Sequence, residues 1–211
     1  MKRFILLVAF SAISAVAVSQ NTFGLNAGFG SSMLDNYRNY FRRNTAKLPA
    51  DVVVYPYKPD YAWRFGCWTE FHHRISGLST VVEADFVRLG ARMPLTDFSS
   101  ETESLHYLTI PLSLKYSPVT HWYISGGLSL AVLIGKPGTA YNDPRAIDFG
   151  ANLGFGVQLF PRYDLFVNFY HALTYMNNNH DAIKDADGRL YNRSLTVNLR
   201  VQLGKIRPSG E

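Results

Sequence analysis

The sequence predicts an all-β fold, an eight-stranded antiparallel up-and-down transmembrane β-barrel. Apolar and polar residues alternate over segments of ten or so residues, which is the pattern of strands with two different faces. The connections between these segments are alternately long and short. No stretch of roughly 20 consecutive apolar residues, which a membrane helix would need, occurs in the chain.

The composition narrows the protein class. Of the 211 residues 47% are hydrophobic and only 18% are charged, and the aromatic residues comprise 14 Phe, 13 Tyr and 3 Trp. An average soluble domain is about a quarter charged. This combination argues against disorder, a coiled coil and a charge-dominated nucleic-acid binder, so nucleic acid is not an expected partner.

The first nineteen residues resemble a cleaved secretory signal peptide. Lys2 and Arg3 precede an apolar run from Phe4 to Val18, which ends in small residues. We predict cleavage after Ser19 or Gln20 and a single barrel domain over 20–211. Without Lys2 and Arg3 the formal net charge falls from +5 to +3, so the basic composition is weak evidence for an acidic partner.

The first four strands are predicted at 22–31, 61–72, 78–88 and 104–116. In the first, glycine and asparagine alternate with apolar residues, and the second and third place charged residues opposite aromatic and aliphatic ones. The fourth gives the clearest pattern. Its outward residues are Leu108, Ile110, Leu112, Leu114 and Tyr116, and Thr109, Ser113 and Lys115 lie on the other face.

The last four strands are predicted at 122–134, 147–160, 163–175 and 192–203. The sixth alternates Phe149, Leu153 and Phe155 with Gly150, Gly154 and Gly156, and the eighth alternates aliphatic residues with Ser, Thr, Asn, Arg and Gln. The inward glycines are expected to leave room for Trp68, Phe166 and Tyr170.

The connections distinguish the membrane barrel from a lipocalin-like barrel or a sandwich, which would also alternate. Long connections at 32–60, 89–103, 135–146 and 176–191 alternate with short ones at 73–77, 117–121 and 161–162. Outer membrane barrels have short periplasmic turns and long extracellular loops, so both termini are expected in the periplasm. Aromatic residues at the strand ends predict two interfacial belts. They are Tyr116, Trp122, Phe160 and Tyr163 beside the short turns, and Tyr61, Trp63, Tyr107, Tyr175 and Tyr191 beside the long loops.

The segment Tyr107-Leu-Thr-Ile-Pro-Leu-Ser-Leu-Lys-Tyr116 resembles the proline-containing strand of the PorT-like outer membrane β-barrel family. Gly28-Phe-Gly30 and Gly154-Phe-Gly156 resemble glycine-rich strands of the same family. The resemblance implies an eight-stranded barrel of the OmpA/OmpX type in a Gram-negative outer membrane and, for some members, a part in secretion or surface assembly. Pro111 has no N–H, so a bulge is expected there.

The inward charges have a structural and a functional interpretation. By strand parity Arg64, Glu70, Glu83, Asp85, Lys115 and Arg200 all face the lumen. An eight-stranded barrel is just wide enough for side chains to fill. We therefore predict that these residues pair and plug the lumen, and the alternative is a narrow pore lined by them.

Two long loops carry further candidates. Basic residues interleaved with tyrosine and phenylalanine, a pattern suited to the phosphates of a surface glycolipid, occur in the first. They are Arg38, Arg42, Arg43 and Lys47. The last loop has several asparagine and aspartate residues, but their spacing does not match an EF-hand, and no metal site or cofactor is predicted.

Catalytic signals are weak. Cys67, the only cysteine, is best explained as a small apolar strand residue, and no intramolecular disulfide can form. His171 and Thr174 lie three apart, so on a strand they face opposite sides and form no dyad. We predict a non-enzymatic outer membrane protein that offers its long loops to a protein partner in secretion or surface assembly. A lipid-modifying enzyme is the first alternative and a narrow pore the second.

Overall fold

The computed structural model describes residues 21–35, 58–94, 100–136, 144–176 and 191–206. These residues form a closed antiparallel barrel in which each strand pairs with the next and the last pairs with the first. The strands are β1 (Asn21–Asp35), β2 (Lys58–His72), β3 (Leu78–Pro94), β4 (Ser100–Tyr116), β5 (Trp122–Gly135), β6 (Ile147–Phe160), β7 (Tyr163–Ala172) and β8 (Tyr191–Ile206). The predicted eight-stranded barrel is confirmed. Within the described parts of the chain, no helix has the length and apolarity needed to cross a membrane.

Strand direction divides the barrel into two ends. The connections after β2, β4 and β6 are short and lie at one end, the short-turn end, whereas those after β1, β3, β5 and β7 lie at the other, the long-loop end. Asn21 pairs with Ile206, so β1 begins and β8 ends at the short-turn end. The predicted signal peptide lies outside the described residues.

The strands extend further toward the long-loop end than the alternation predicts. The connection expected at 89–103 is largely strand, because β3 continues to Pro94 and β4 begins at Ser100. Outward positions in this extension carry polar side chains such as Arg92 and Thr102. Apolar residues are needed outward only where lipid covers the barrel, so an extension beyond the lipid loses the alternation on which the prediction depends.

The bulge expected at Pro111 is not present. Pro111 pairs with Ser129 of β5, and the register of β4 with both neighbours is the same on either side of it. The β3–β4 ladder has no pairs at Glu83 and Ala84 but resumes at Asp85 in unchanged register. The missing N–H therefore interrupts the ladder locally without an extra residue. The register shift in β4 lies instead between His106 and Tyr107.

The outer surface of the barrel is apolar. Along β4 it presents Leu108, Ile110, Leu112, Leu114 and Tyr116, a stretch of about the 9–11 residues that a spanning strand needs. The other strands contribute further exposed apolar side chains, among them Leu25, Phe29, Phe65, Ile124, Leu128, Leu130, Leu153, Phe155, Val167, Phe169, Leu195, Val197 and Leu199. Such a surface suits hydrocarbon rather than water.

The predicted aromatic belts are found in part. At the short-turn end Tyr116, Trp122, Phe160 and Tyr163 are all exposed on the outside. At the long-loop end the prediction for Tyr107 is wrong, since this side chain is fully buried inside the barrel. The alternation of β4 already implied this position, because Leu108 faces outward and its neighbour must face inward.

Glycines on the inner face make room for large side chains, as the sequence predicts. A Cβ on Gly24 would overlap the Trp68 ring, and one on Gly150 would overlap Tyr170. Gly156 lies against both Tyr123 and Phe166. The aromatic rings thus fill space that the facing strands leave open, and the lumen becomes a packed core.

Candidate functional site

The central part of the lumen holds four of the six predicted inward charges in one cluster. Arg64 Nη2 lies 2.5 Å from Glu83 Oε2 and also bonds Asp85, while Arg200 bonds the other oxygen of Glu83. All four side chains are buried. Two guanidinium groups thus face two carboxylates, which offsets much of the cost of burying these charges. We call these residues the central cluster.

The other two predicted charges form a separate group nearer the short turns. Lys115 Nζ lies 3.0 Å from Glu70 Oε2 and 3.7 Å from Asp164 Oδ2. Ser79 Oγ donates to the second oxygen of Glu70 at 2.5 Å, and the Lys115 ammonium lies 4.3 Å from the centre of the Tyr123 ring. Asp164 has the inward parity of β7, but nothing local in the sequence indicates which lysine it meets.

Toward the long-loop end the lumen changes character and becomes largely apolar. Eleven buried side chains pack together there: Leu34, Ala62, Val87, Leu89, Ala91, Leu105, Tyr107, Ala131, Tyr170, Ala172 and Met176. We call them the apolar plug. These side chains fill the space between facing strands in this half of the described barrel.

Asp148 anchors the few polar groups beside the apolar plug. Its carboxylate accepts hydrogen bonds from Tyr170 (3.0 Å), Asn192 (3.0 Å) and Thr174 (2.7 Å). Asn192 also bonds the hydroxyl of Tyr107 at 3.2 Å. Buried polar groups are tolerated when they are hydrogen-bonded, so this network fixes the tyrosines of the plug.

Two cavities flank the central cluster. The smaller, of about 30 Å³, lies on the plug side between Leu89, Ala131 and Tyr170. The larger, of about 660 Å³, opens at the short-turn end, and we call it the vestibule. Its floor is formed by Trp68, Glu70, Lys115, Tyr123, Asp164 and Arg200, and its rim by the three short turns with Gln202 and Lys205. The lumen is therefore accessible at one end.

A third ion cluster, which the sequence did not indicate, lies near the long-loop end between β2 and β3. Arg88 Nη2 lies 2.8 Å from Asp60 Oδ2, and Arg92 approaches the other oxygen at 3.4 Å. The Arg88 guanidinium also stacks 3.6 Å from the centre of the Tyr61 ring. Asp60 fell within a predicted loop, so strand parity could not place it.

The two residues considered as a hydrolytic dyad contact different partners. His171 accepts a hydrogen bond from Arg193 Nε at its Nδ1 (2.9 Å) and packs against Tyr191. Thr174 Oγ1 instead donates to Asp148. Cys67 is exposed on the outer face of β2. No group of three or more potential metal-ligating side chains occurs among the residues that the structure describes.

Two predicted loop sites lie outside the described residues. They are the basic residues of the first long loop, Arg38, Arg42, Arg43 and Lys47, and the asparagine- and aspartate-rich part of the last loop.

Comparisons with known proteins find similarity of fold alone. No protein-family model matches the chain, and no curated protein matches it either. Neisserial surface protein A (NspA) is 15% identical with a TM-score of 0.46, over 86% of this chain and 97% of that one. Ail, the attachment invasion locus protein of Yersinia pestis, is 5% identical with a TM-score of 0.41, over 88% and 99%. The structure of Ail in complex with the heparin analogue sucrose octasulfate shows 9% sequence identity and a TM-score of 0.44, covering 88% of this chain and 100% of that one.

Proposed function

We propose that the chain is an integral outer membrane protein with its long connections outside the cell and its short turns in the periplasm. One observation carries this proposal: the closed barrel has an apolar exterior and keeps its ion-paired charges buried in the interior, the reverse of a water-soluble protein. A closed barrel satisfies all its backbone hydrogen bonds internally, which a lipid environment requires.

The protein acts, in this proposal, as a non-enzymatic module rather than as a pore. Support comes from the apolar plug, the central cluster and the aromatic rings that pack against inward glycines, which together fill the lumen beyond the vestibule. A barrel whose interior is packed offers only its ends to other molecules. The partner surfaces are then the long loops and the short-turn end.

Its role would be that of a structural or accessory component in secretion or surface assembly. The PorT-like strand at 107–116 supports this role, although no family model matches and the membership stays a prediction. The expected partners are outer membrane lipid, a protein of the assembly complex and, at the basic first loop, a surface glycolipid.

Topology can be tested by labelling with a membrane-impermeant maleimide. On a Cys67→Ser background, Ser76→Cys reports on a short turn and Asn178→Cys on the last long connection. The proposal expects Asn178→Cys to be labelled in intact cells and Ser76→Cys only after the outer membrane is permeabilised. Equal labelling of both variants in intact cells, or recovery of the protein in the soluble periplasmic fraction, would contradict it.

Planar-bilayer recordings of the purified protein distinguish a non-conducting module from a pore. A packed lumen predicts no conductance above the lipid background, and regular unitary steps would favour the narrow pore instead. Affinity capture of the intact protein from membranes then tests the partner role. Failure to recover a protein at a constant ratio to the bait would argue against an assembly component.

A further inference from the structure

The rim of the vestibule is built from the short turns, which are joined by backbone hydrogen bonds to one another or to neighbouring strands. The turns after β2 and β4 are joined by a hydrogen bond from Ser117 N to Gly77 O (2.8 Å). Gln158 N donates to His121 O (2.7 Å), and Gln202 N donates to Arg162 O (2.8 Å). The first two turns are thus tied to each other, the second turn is also tied to β6 and the third to β8, so the cavity has its shape before any ligand arrives.

Gly77 is required for this arrangement. It has a φ of 75°, in the left-handed region that favours glycine, and a Cβ there would overlap the carbonyl oxygen of Ser117. The close contact between the first two turns therefore depends on the absence of a side chain.

The charge of the vestibule is unbalanced. Among the described residues that line it, five are lysine or arginine and only two are acidic. Both acids, Glu70 and Asp164, lie against Lys115 on the floor, and Arg200 is held by Glu83 of the central cluster. The excess positive charge belongs to the rim, where Arg74, Arg162 and Lys205 are exposed.

These three cations come from different parts of the ring. Arg74 belongs to the turn after β2, Arg162 to the turn after β6, and Lys205 to the end of β8 next to Thr22 of β1. A small anion would meet one or two of them. A ligand with several separated carboxylates would neutralise all three, and a cavity of about 660 Å³ is within the roughly 300–1,000 Å³ of known binding pockets.

We propose that the vestibule is a binding site for an acidic peptide segment. The segment lies within the rim, its carboxylates contact Arg74, Arg162 and Lys205, and hydroxyl and amide groups of Ser117, Thr120, Gln158 and Gln202 serve as further polar partners. This site deepens the proposed function, since it rests on the short turns facing the periplasm, where such a segment would belong to a periplasmic protein.

The floor explains why the ligand would stop inside the vestibule. Trp68 donates from Nε1 to Leu25 O at 3.1 Å, which fixes its ring over Gly24 on the inner face of β1. The Arg200 guanidinium lies 4.2 Å from the centre of the Phe166 ring and joins Glu83. Entry beyond this layer would require breaking the central cluster.

The site can be tested by calorimetric titration of the purified protein in a zwitterionic detergent. The probe is an octapeptide of glutamate, compared with an octapeptide of glutamine and with inorganic phosphate. We expect saturable binding of the glutamate peptide alone, weakened by added salt because the contacts are ionic.

Two matched variants locate the site. Arg162→Ser/Lys205→Ser removes two cations from the rim, and Lys58→Ser/Lys136→Ser removes two exposed cations from the long-loop end. The rim variant should weaken peptide binding roughly three- to tenfold, as expected for two partly solvated ion pairs. The control should change it less than about 1.5-fold, because its charges lie beyond a screening length. Heat-modifiable gel migration shows that each variant is folded.

Three results would overturn the proposal: no saturable binding of the glutamate peptide, equal weakening by both variants, or phosphate binding as tight as the peptide. The third would leave a small-anion site in its place. Because the titration uses detergent-solubilised protein, it does not depend on membrane orientation. Failure of the titration with correct maleimide labelling would therefore refute the peptide site and leave the proposed topology intact.

Discussion

The two halves of the lumen are filled in different ways. Toward the short turns the interior is specified by charge, in the central cluster and around Lys115, and toward the long loops by apolar packing around Leu105 and Tyr107. Charged pairs are directional and require particular partners, whereas apolar packing depends on volume. One barrel can therefore combine two kinds of interior. Charge pairing in the short-turn half determines which strands meet, and apolar packing in the long-loop half excludes water.

The largest effect is expected in the charged half, from Glu83→Ala. The substitution leaves Arg64 and Arg200 buried with fewer counter-charges and should lower the free energy of unfolding by about 3–5 kcal/mol. Reversible urea unfolding in lipid vesicles measures this loss. Glu83→Leu/Arg200→Leu removes both partners and should cost less than the single variant. If the double variant is the less stable of the two, the charges do not specify this half.

In the apolar half, the corresponding destabilising substitution is Leu105→Ala. Leu105 is 1% exposed inside the plug, and truncation should cost about 2–5 kcal/mol through lost packing and a residual cavity. Leu112→Ala on the lipid-facing side of the same strand is the control, since it opens no internal cavity. If the two variants lose equal amounts of unfolding free energy in urea, the half of the lumen toward the long loops is not closely packed.

The close packing of aromatic rings against inward glycines can be tested by adding a single methyl group. Gly156→Ala places a Cβ against Tyr123 and Phe166 and should cost about 1–3 kcal/mol through overpacking. Gly126→Ala is its match, because a Cβ there would meet nothing nearer than 3.9 Å. The difference between the two unfolding free energies isolates the crowding inside the barrel, and a difference near zero would contradict it.

The smallest effect is expected from Tyr107→Phe. The substitution removes the hydroxyl that accepts a hydrogen bond from Asn192 but keeps the ring, so the loss should be about 1 kcal/mol. Amide hydrogen exchange of β4 and β8 would show whether the loss is local. A cost as large as that of Leu105→Ala would mean that the polar network, rather than the packing, holds the plug.

The sequence predicts the faces of the strands well because one physical rule applies along the spanning segments. Lipid selects apolar residues at every second position, so Glu83, Asp85 and Arg200 could be placed inward without knowledge of their partners. The same rule placed Tyr107 inward, although its closeness to a long connection suggested a belt residue. Whether a side chain faces inward or outward is thus predicted better by its place in the alternation than by its closeness to a strand end.

The partners of these residues could not be predicted, because they depend on how the sheet closes. Arg200 meets Glu83 across the lumen although they are 117 residues apart, and Lys115 meets Asp164 from a facing strand. Asp60 lies just before the predicted second strand, and the extension of β3 lies where outward residues such as Arg92 are polar, so no alternation marks either of them. Strand tilt and stagger determine these contacts, and no local sequence pattern predicts either of them.

The contact between Arg200 and Glu83 has a consequence for the order of barrel assembly. Hairpins with short turns, such as β2–β3, need only local contacts, whereas the β1–β8 pairing joins the two ends of the strand series, so a barrel that assembles from local hairpins closes at this seam last. Until that step Glu83 lacks Arg200, and the nascent barrel carries an incomplete set of charges in its interior. Joining of the seam and neutralisation of Glu83 are then one event, so an open, mis-registered sheet is penalised and the correctly closed ring is selected.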